Sequence, residues 1–164
     1  MRHLDQYRFK LKLDRNASKM LAEVGISEGQ SVLDFGCGSG TYSIPAANLV
    51  GKNGRIYSLD VRQGSLEKLT RKTEKEGLDN IVTLLSSGNV DIPIDNEALN
   101  HVLQEISDKE TLLEEIHRIL KPDGMMIVYP MHIDSNEVTR LASNVKLRLK
   151  GKIFQEQILV FEKV

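Results

Sequence analysis

The chain has 164 residues, of which 40% are hydrophobic and 27% charged, with a formal net charge of -1. That size and composition fit one globular domain over 1–164 with a sizeable core, and the near-neutral balance excludes a global field that would draw in nucleic acid. A single cysteine excludes an internal disulfide or a cysteine-built metal cluster, no apolar run approaches the roughly 20 residues that cross a bilayer, and the start lacks a signal-peptide core, so a cytoplasmic protein is expected.

Residues 1–12 interleave Arg2, Arg8, Lys10 and Lys12 with Tyr7, Phe9 and Leu11, the pattern of a loose arm or a helix start. Leu13, Ala17, Met20, Leu21 and Val24 then recur at helical spacing, with Gly25 as the stop. A first strand over 31–34 runs into Phe35-Gly36-Cys37-Gly38-Ser39-Gly40, and a helix is expected over 41–50, with Pro45 tolerable near the first turn. The turn Gly51-Lys52-Asn53-Gly54 leads to a second strand over 55–61. A charged amphipathic helix over 65–76 turns Leu66 and Leu69 inward and stops at Gly77, and a third strand follows over 80–86.

The fourth strand is poorly written in the sequence. Only thirteen residues, 94–106, separate Pro93 from Ser107, and the candidate strand over 98–106 is interrupted by Asn100, His101, Gln104 and Glu105. A central parallel strand is ordinarily a near-continuous apolar run. The expectation is a short, irregular strand or a chain that lacks residues here.

Ser107 and Glu110 have capping-box spacing, and Leu112, Leu113, Ile116, Ile119 and Leu120 form one apolar helix face. Pro122-Asp123-Gly124 reads as a turn before a strand over 125–131. Asp134 and Glu137 suit another helix start, with Val138, Leu141 and Ala142 inward; strands over 145–154 and 157–162 close the chain. Alternating strands and helices predict an α/β fold, a mostly parallel sheet with helices on both faces. The last two strands are too close for a crossover, so they form a C-terminal antiparallel pair.

The chemistry concentrates at the first strand's end. Glycines at 36, 38 and 40 let backbone approach a ligand without a Cβ in the way, and the next helix aims its free N–H groups at the same place. Asp60 ends the second strand twenty residues after Gly40, where an acid can accept from both hydroxyls of a ribose.

Asp-x-Gly-x-Gly-x-Gly after the first strand, an acid ending the second, and Leu120-Lys121-Pro122-Asp123-Gly124 before a late strand together resemble the class I, Rossmann-like S-adenosylmethionine (SAM) dependent methyltransferases. The resemblance runs from about Ala17 to Val164. It implies SAM as cofactor, S-adenosylhomocysteine (SAH) as product, and in-line transfer of the sulfonium methyl. The pattern looks most like the small-molecule branch. An Asn-Pro-Pro-Tyr motif, frequent in members that methylate nucleic-acid or protein amines, is absent, and one cysteine does not fit the multi-cysteine arsenite type. A small-molecule acceptor is expected, with no nucleic acid or membrane partner; a homodimer or a partner subunit is compatible with it. The alternatives are a non-catalytic SAM-binding module or partner-dependent subunit, and a nicotinamide oxidoreductase, for which Gly-x-Gly-x-Gly is the wrong spacing.

By this resemblance Asp34, Gly36, Cys37, Gly38, Gly40, Asp60, Val61, Asn89 and Gln104 contact the cofactor. Asp34 orders the turn and reaches the methionine amino group, or only caps the turn. Asp60 takes the ribose, or is a surface acid. Val61 packs on the adenine, and Asn89 stands where the family often has an acid for the adenine amino group. Cys37 is a thiol at a helix N-terminus, reactive or a small filler. No catalytic residue is required, because orientation alone supplies roughly 7–11 kcal/mol; Glu105 and His101 are the candidates should the acceptor need a base. His132 is a base, a metal ligand or a solvated loop histidine, and no metal is expected. Glu114 and Arg118 have the spacing of an i,i+4 surface pair.

Overall fold

The computed structural model describes residues 3–86, 99–105, 110–130 and 133–164. Its elements are α1 (His3–Arg15), α2 (Ala17–Glu23), β1 (Ser31–Phe35), α3 (Ser43–Val50), β2 (Arg55–Asp60), α4 (Gln63–Glu76), β3 (Ile81–Leu85), β4 (Leu99–Glu105), α5 (Glu110–Ile119), β5 (Leu120–Tyr129), α6 (Ser135–Asn144), β6 (Leu147–Ile153) and β7 (Ile158–Lys163). The strands form a seven-stranded sheet in the order β3-β2-β1-β4-β5-β7-β6. The ladders from β3 to β5 are parallel, whereas β7 runs antiparallel to both β5 and β6.

Alternation along the strands divides the core between the two faces of the sheet. On one face Leu33, Leu59, Met126, Val128, Leu159 and Phe161 pack with the apolar sides of α5 and α6. On the other, Val32, Ile56, Ile127, Val160 and Ile158 pack with Leu13, Met20, Leu21, Ala46 and Val50 from α1, α2 and α3. The inward residues expected of α4, α5 and α6 are all buried. Gly77 closes α4 in the left-handed conformation, and Asp134 caps α6 by accepting from the Asn136 and Glu137 amides at 2.8 and 3.3 Å.

Two open alternatives are decided and two expectations change. Residues 3–12 are helical rather than a loose arm, because Leu13 and the half-buried Phe9 anchor α1 to the core. The fourth strand is present: β4 pairs along β1 and β5, so two neighbouring ladders compensate for its broken apolar pattern. Its irregularity is confined to the start, where the partners jump from Leu99↔Leu120 to His101↔Met125, and β5 begins at Leu120 and takes in Pro122-Asp123-Gly124, the segment expected as a turn before a strand over 125–131. Arg118 pairs with Glu115 at 2.6 Å, one helical turn away, rather than with Glu114. The Ser107 half of the capping box, Asn89 and His132 lie outside the described residues.

Candidate functional site

Parallel strands β1, β2, β4 and β5 put their carboxyl ends on one edge, where open α/β sheets bind ligands. The turn after β1 is tied to the end of β2: the Gly36 and Cys37 amides both donate to the Leu59 carbonyl, at 2.8 and 3.0 Å. Gly36, Gly38 and Gly40 have φ of 76°, 54° and 91°, which an L side chain adopts only under strain. Their surroundings differ. A Cβ at Gly36 or Gly38 would meet nothing within 4 Å, so the turn presents bare backbone to open space there. A Cβ at Gly40 would come within 2.4 Å of Leu69 Cδ1, so that glycine lets the turn lie against α4.

Asp34 is buried, and its carboxylate accepts from Ser43 Oγ at 2.6 Å; Ser58 Oγ in turn donates to Ser43 Oγ at 2.7 Å. This buried chain joins β1, the first residue of α3 and β2, so Asp34 sets the angle at which the helix leaves the turn. Asp60 is only 3% exposed and uses both carboxylate oxygens. Oδ2 accepts from the Gly38 amide at 2.8 Å, and Oδ1 from the Arg62 amide at 2.9 Å and Arg62 Nε at 3.3 Å. Burial pushes its pKa up, but the hydrogen bonds from Arg62 and Gly38 outweigh burial and hold it below the ordinary carboxylate value. An ionised carboxylate offers about four lone-pair positions, and with three donors already on it Asp60 keeps room at Oδ2 for one further donor such as a hydroxyl.

Val61 and Leu85 are 60% and 56% exposed. Leu85 is the register partner of Asp60, so these two side chains flank the acid at the ends of adjacent strands. Cys37 is buried against Leu66 and Leu69. Burial and the nearby Asp34 and Asp60 carboxylates push its thiol pKa far above the ordinary range, which makes it a filler rather than a nucleophile. On β4, register sets Gln104 beside Phe35 and Val128, and Glu105 beside Tyr129 at the carboxyl edge. His101 is set beside Val32, back from that edge. Among the described residues, no group of three or more His, Cys, Asp or Glu side chains is placed to hold a metal ion, and no helix is long and apolar enough to cross a membrane.

Sequence reasoning missed three contributors. Leu85 was detectable in principle, since consecutive leucines ending a strand cannot both face inward. Lys72 of α4, which donates to the Ser39 carbonyl and Oγ at 2.9 and 3.2 Å, looks like any lysine in a charged helix. Tyr42, whose hydroxyl donates to Asp14 at 2.7 Å, depends on a contact 28 residues away that no local pattern announces.

A family model for a methyltransferase domain matches residues 26–158. Among curated proteins, the demethylmenaquinone methyltransferase of Geobacillus kaustophilus (strain HTA426) is 29% identical over 113 residues, 66% of this chain and 48% of the relative. That of Bacillus subtilis (strain 168) is 29% identical over 114 residues, 66% of this chain and 48% of the relative. The chain thus spans about half the length of these relatives. Among solved structures, a SAM dependent methyltransferase from Aquifex aeolicus superposes with a TM-score of 0.79 over 96% of each chain at 23% identity. A geranyl diphosphate C-methyltransferase from Streptomyces coelicolor A3(2), solved with S-adenosyl-L-homocysteine, gives 0.77 over 93% of this chain and 81% of that one at 14% identity. At these identities the superpositions show a shared fold.

Proposed function

The chain belongs to the methyltransferase-domain family, and we propose from that premise that it transfers a methyl group from SAM to a small-molecule acceptor. The observation that carries this reading is the bare face of the turn at Gly36 and Gly38, set against a buried, ionised Asp60. That combination suits a ligand with a backbone-hugging polar end and a ribose. When bound, SAM supplies an activated methyl on a sulfonium centre.

The chain's own part is to bind and orient. Asp60 accepts from a ribose hydroxyl with its remaining Oδ2 position, and Val61 and Leu85 offer an apolar rest for the adenine. Asp34, acting through Ser43, holds the turn and the α3 N-terminus at a fixed angle behind the methionine end. Gln104 stands at the edge between the turn and β5. Orientation of this kind supplies roughly 7–11 kcal/mol when nucleophile and methyl are held in line. Should the acceptor be a hydroxyl, Glu105, at the carboxyl end of β4, is the candidate base, a contribution of about 10²–10⁴-fold.

The relatives named as demethylmenaquinone methyltransferases make a hydroxylated quinol ring the first acceptor to try. The test is formation of SAH from SAM in the presence of such a quinol and of a panel of unrelated small acceptors. Acceptor-dependent SAH formation supports the reading. SAM binding with no turnover on any acceptor overturns it in favour of a binding module, and binding of NADH in place of SAM overturns the cofactor assignment.

A further inference from the structure

The face of α1 that carries Phe9, Lys10, Leu13 and Asp14 is fastened at two separate points of the sheet's carboxyl edge. At one, Tyr42 donates its hydroxyl to Asp14 Oδ1 at 2.7 Å, and Lys10 donates to the same oxygen at 3.3 Å. Lys10 Nζ also lies 5.6 Å from the Tyr42 ring centroid. Tyr42 is the N-cap residue of α3, two positions after Gly40. At the other point, the Phe9 ring lies 5.5 Å from the ring of Tyr129, the last residue of β5. Leu13, 1% exposed, fills the core between the two. Since β4 lies between β1 and β5 in the sheet, α1 bridges the strand ends on either side of the β4 carboxyl end.

A helix that only covered core would need Phe9 and Leu13. The polar side of the same face does something else: it bonds to the residue where the glycine turn becomes α3. We propose that Tyr42 and Asp14 are positioning residues that fasten α1 beside the carboxyl end of β4, so that cofactor binding at the turn and docking of α1 reinforce each other. The inference rests on the cofactor reading above. Its physical basis is linkage: a ligand that orders the turn favours the docked helix, and a docked helix reduces the ordering that the ligand must impose.

The test pairs hydrogen exchange with calorimetry, using SAH as the probe. In the wild-type protein SAH should slow amide exchange across α1 as well as in the glycine turn. Tyr42→Phe keeps the ring and removes the hydroxyl; Asp14→Ala removes the acceptor oxygen. Each should raise the Kd for SAH about three- to tenfold, the scale of one hydrogen bond. The double variant should be no weaker than the weaker single variant, because both remove the same bond. A purely structural role would lower the melting temperature and leave the Kd alone. SAH binding with α1 exchange unchanged, or an unaltered Kd in folded Tyr42→Phe, overturns the proposal and leaves the cofactor reading standing. No SAH binding by the folded wild-type protein overturns both.

Discussion

Asp60 pins the Gly38 amide inside the protein, and in the function proposed above the same carboxylate also accepts from the ribose. Asp60→Asn should therefore weaken SAM binding about ten- to hundredfold, the scale of hydrogen bonds to a charged group; calorimetry reads this directly. The same residue predicts a pH dependence. Its folded-state pKa lies below the ordinary carboxylate value, so the unfolded chain binds a proton first as pH falls. The stabilisation is complete above the unfolded value, near 4, and is lost as pH drops through the lower folded value. Urea midpoints measured from pH 6 to pH 3 should fall more steeply for wild type than for Asp60→Asn. Cys37 makes the opposite prediction about reactivity. Buried and held protonated, it should resist thiol reagents in the native protein and react fully in denaturant; rapid native labelling would contradict its role as filler.

At the scale of elements, the glycine turn is gripped from both sides by the β2–α4 unit, through Asp60 at Gly38 and through Leu69 and Lys72 at Gly40 and Ser39. Gly40→Ala would bring a Cβ against Leu69 at a φ of 91°, a strain of about 1–3 kcal/mol. It should lower the urea midpoint and weaken SAH binding together, whereas a change in stability alone would show that the turn's seat on α4 does not matter to the ligand. This region also shows what a sequence can and cannot disclose. The run Val32-Leu33-Asp34, the alternate glycines and Asp60 are local signals, so the strand, the turn and the acid were legible. The β4 strand was legible only as an interrupted candidate over 98–106, because its support comes from neighbours on both sides rather than from its own residues. The antiparallel pairing of β6 and β7 was legible from their short connection. The insertion of β7 between β5 and β6 was not, because either strand of a hairpin can join a sheet edge. Tyr42–Asp14 and Lys72–Ser39 stayed hidden for a related reason: each joins segments whose separation along the chain carries no periodic signal.

For the whole molecule, the parallel strand order sets the glycine turn and the carboxyl ends of β2 and β4 along one sheet edge, with α1 fastened beside them. A ligand that binds only the folded state stabilises it by RT ln(1 + [L]/Kd), about 2.7 kcal/mol at a hundredfold excess over Kd. For a chain of this size that should raise the melting temperature by about 5–10 °C. The chain spans about half the length of its curated relatives. The cofactor site comes first. Calorimetric titration of SAH into the wild-type protein, with Asp60→Ala alongside, tests the central claim most directly. The account predicts saturable one-to-one binding by wild type that Asp60→Ala weakens at least tenfold. A folded wild-type protein that takes up no SAH, or an Asp60→Ala variant that binds it equally well, would contradict it.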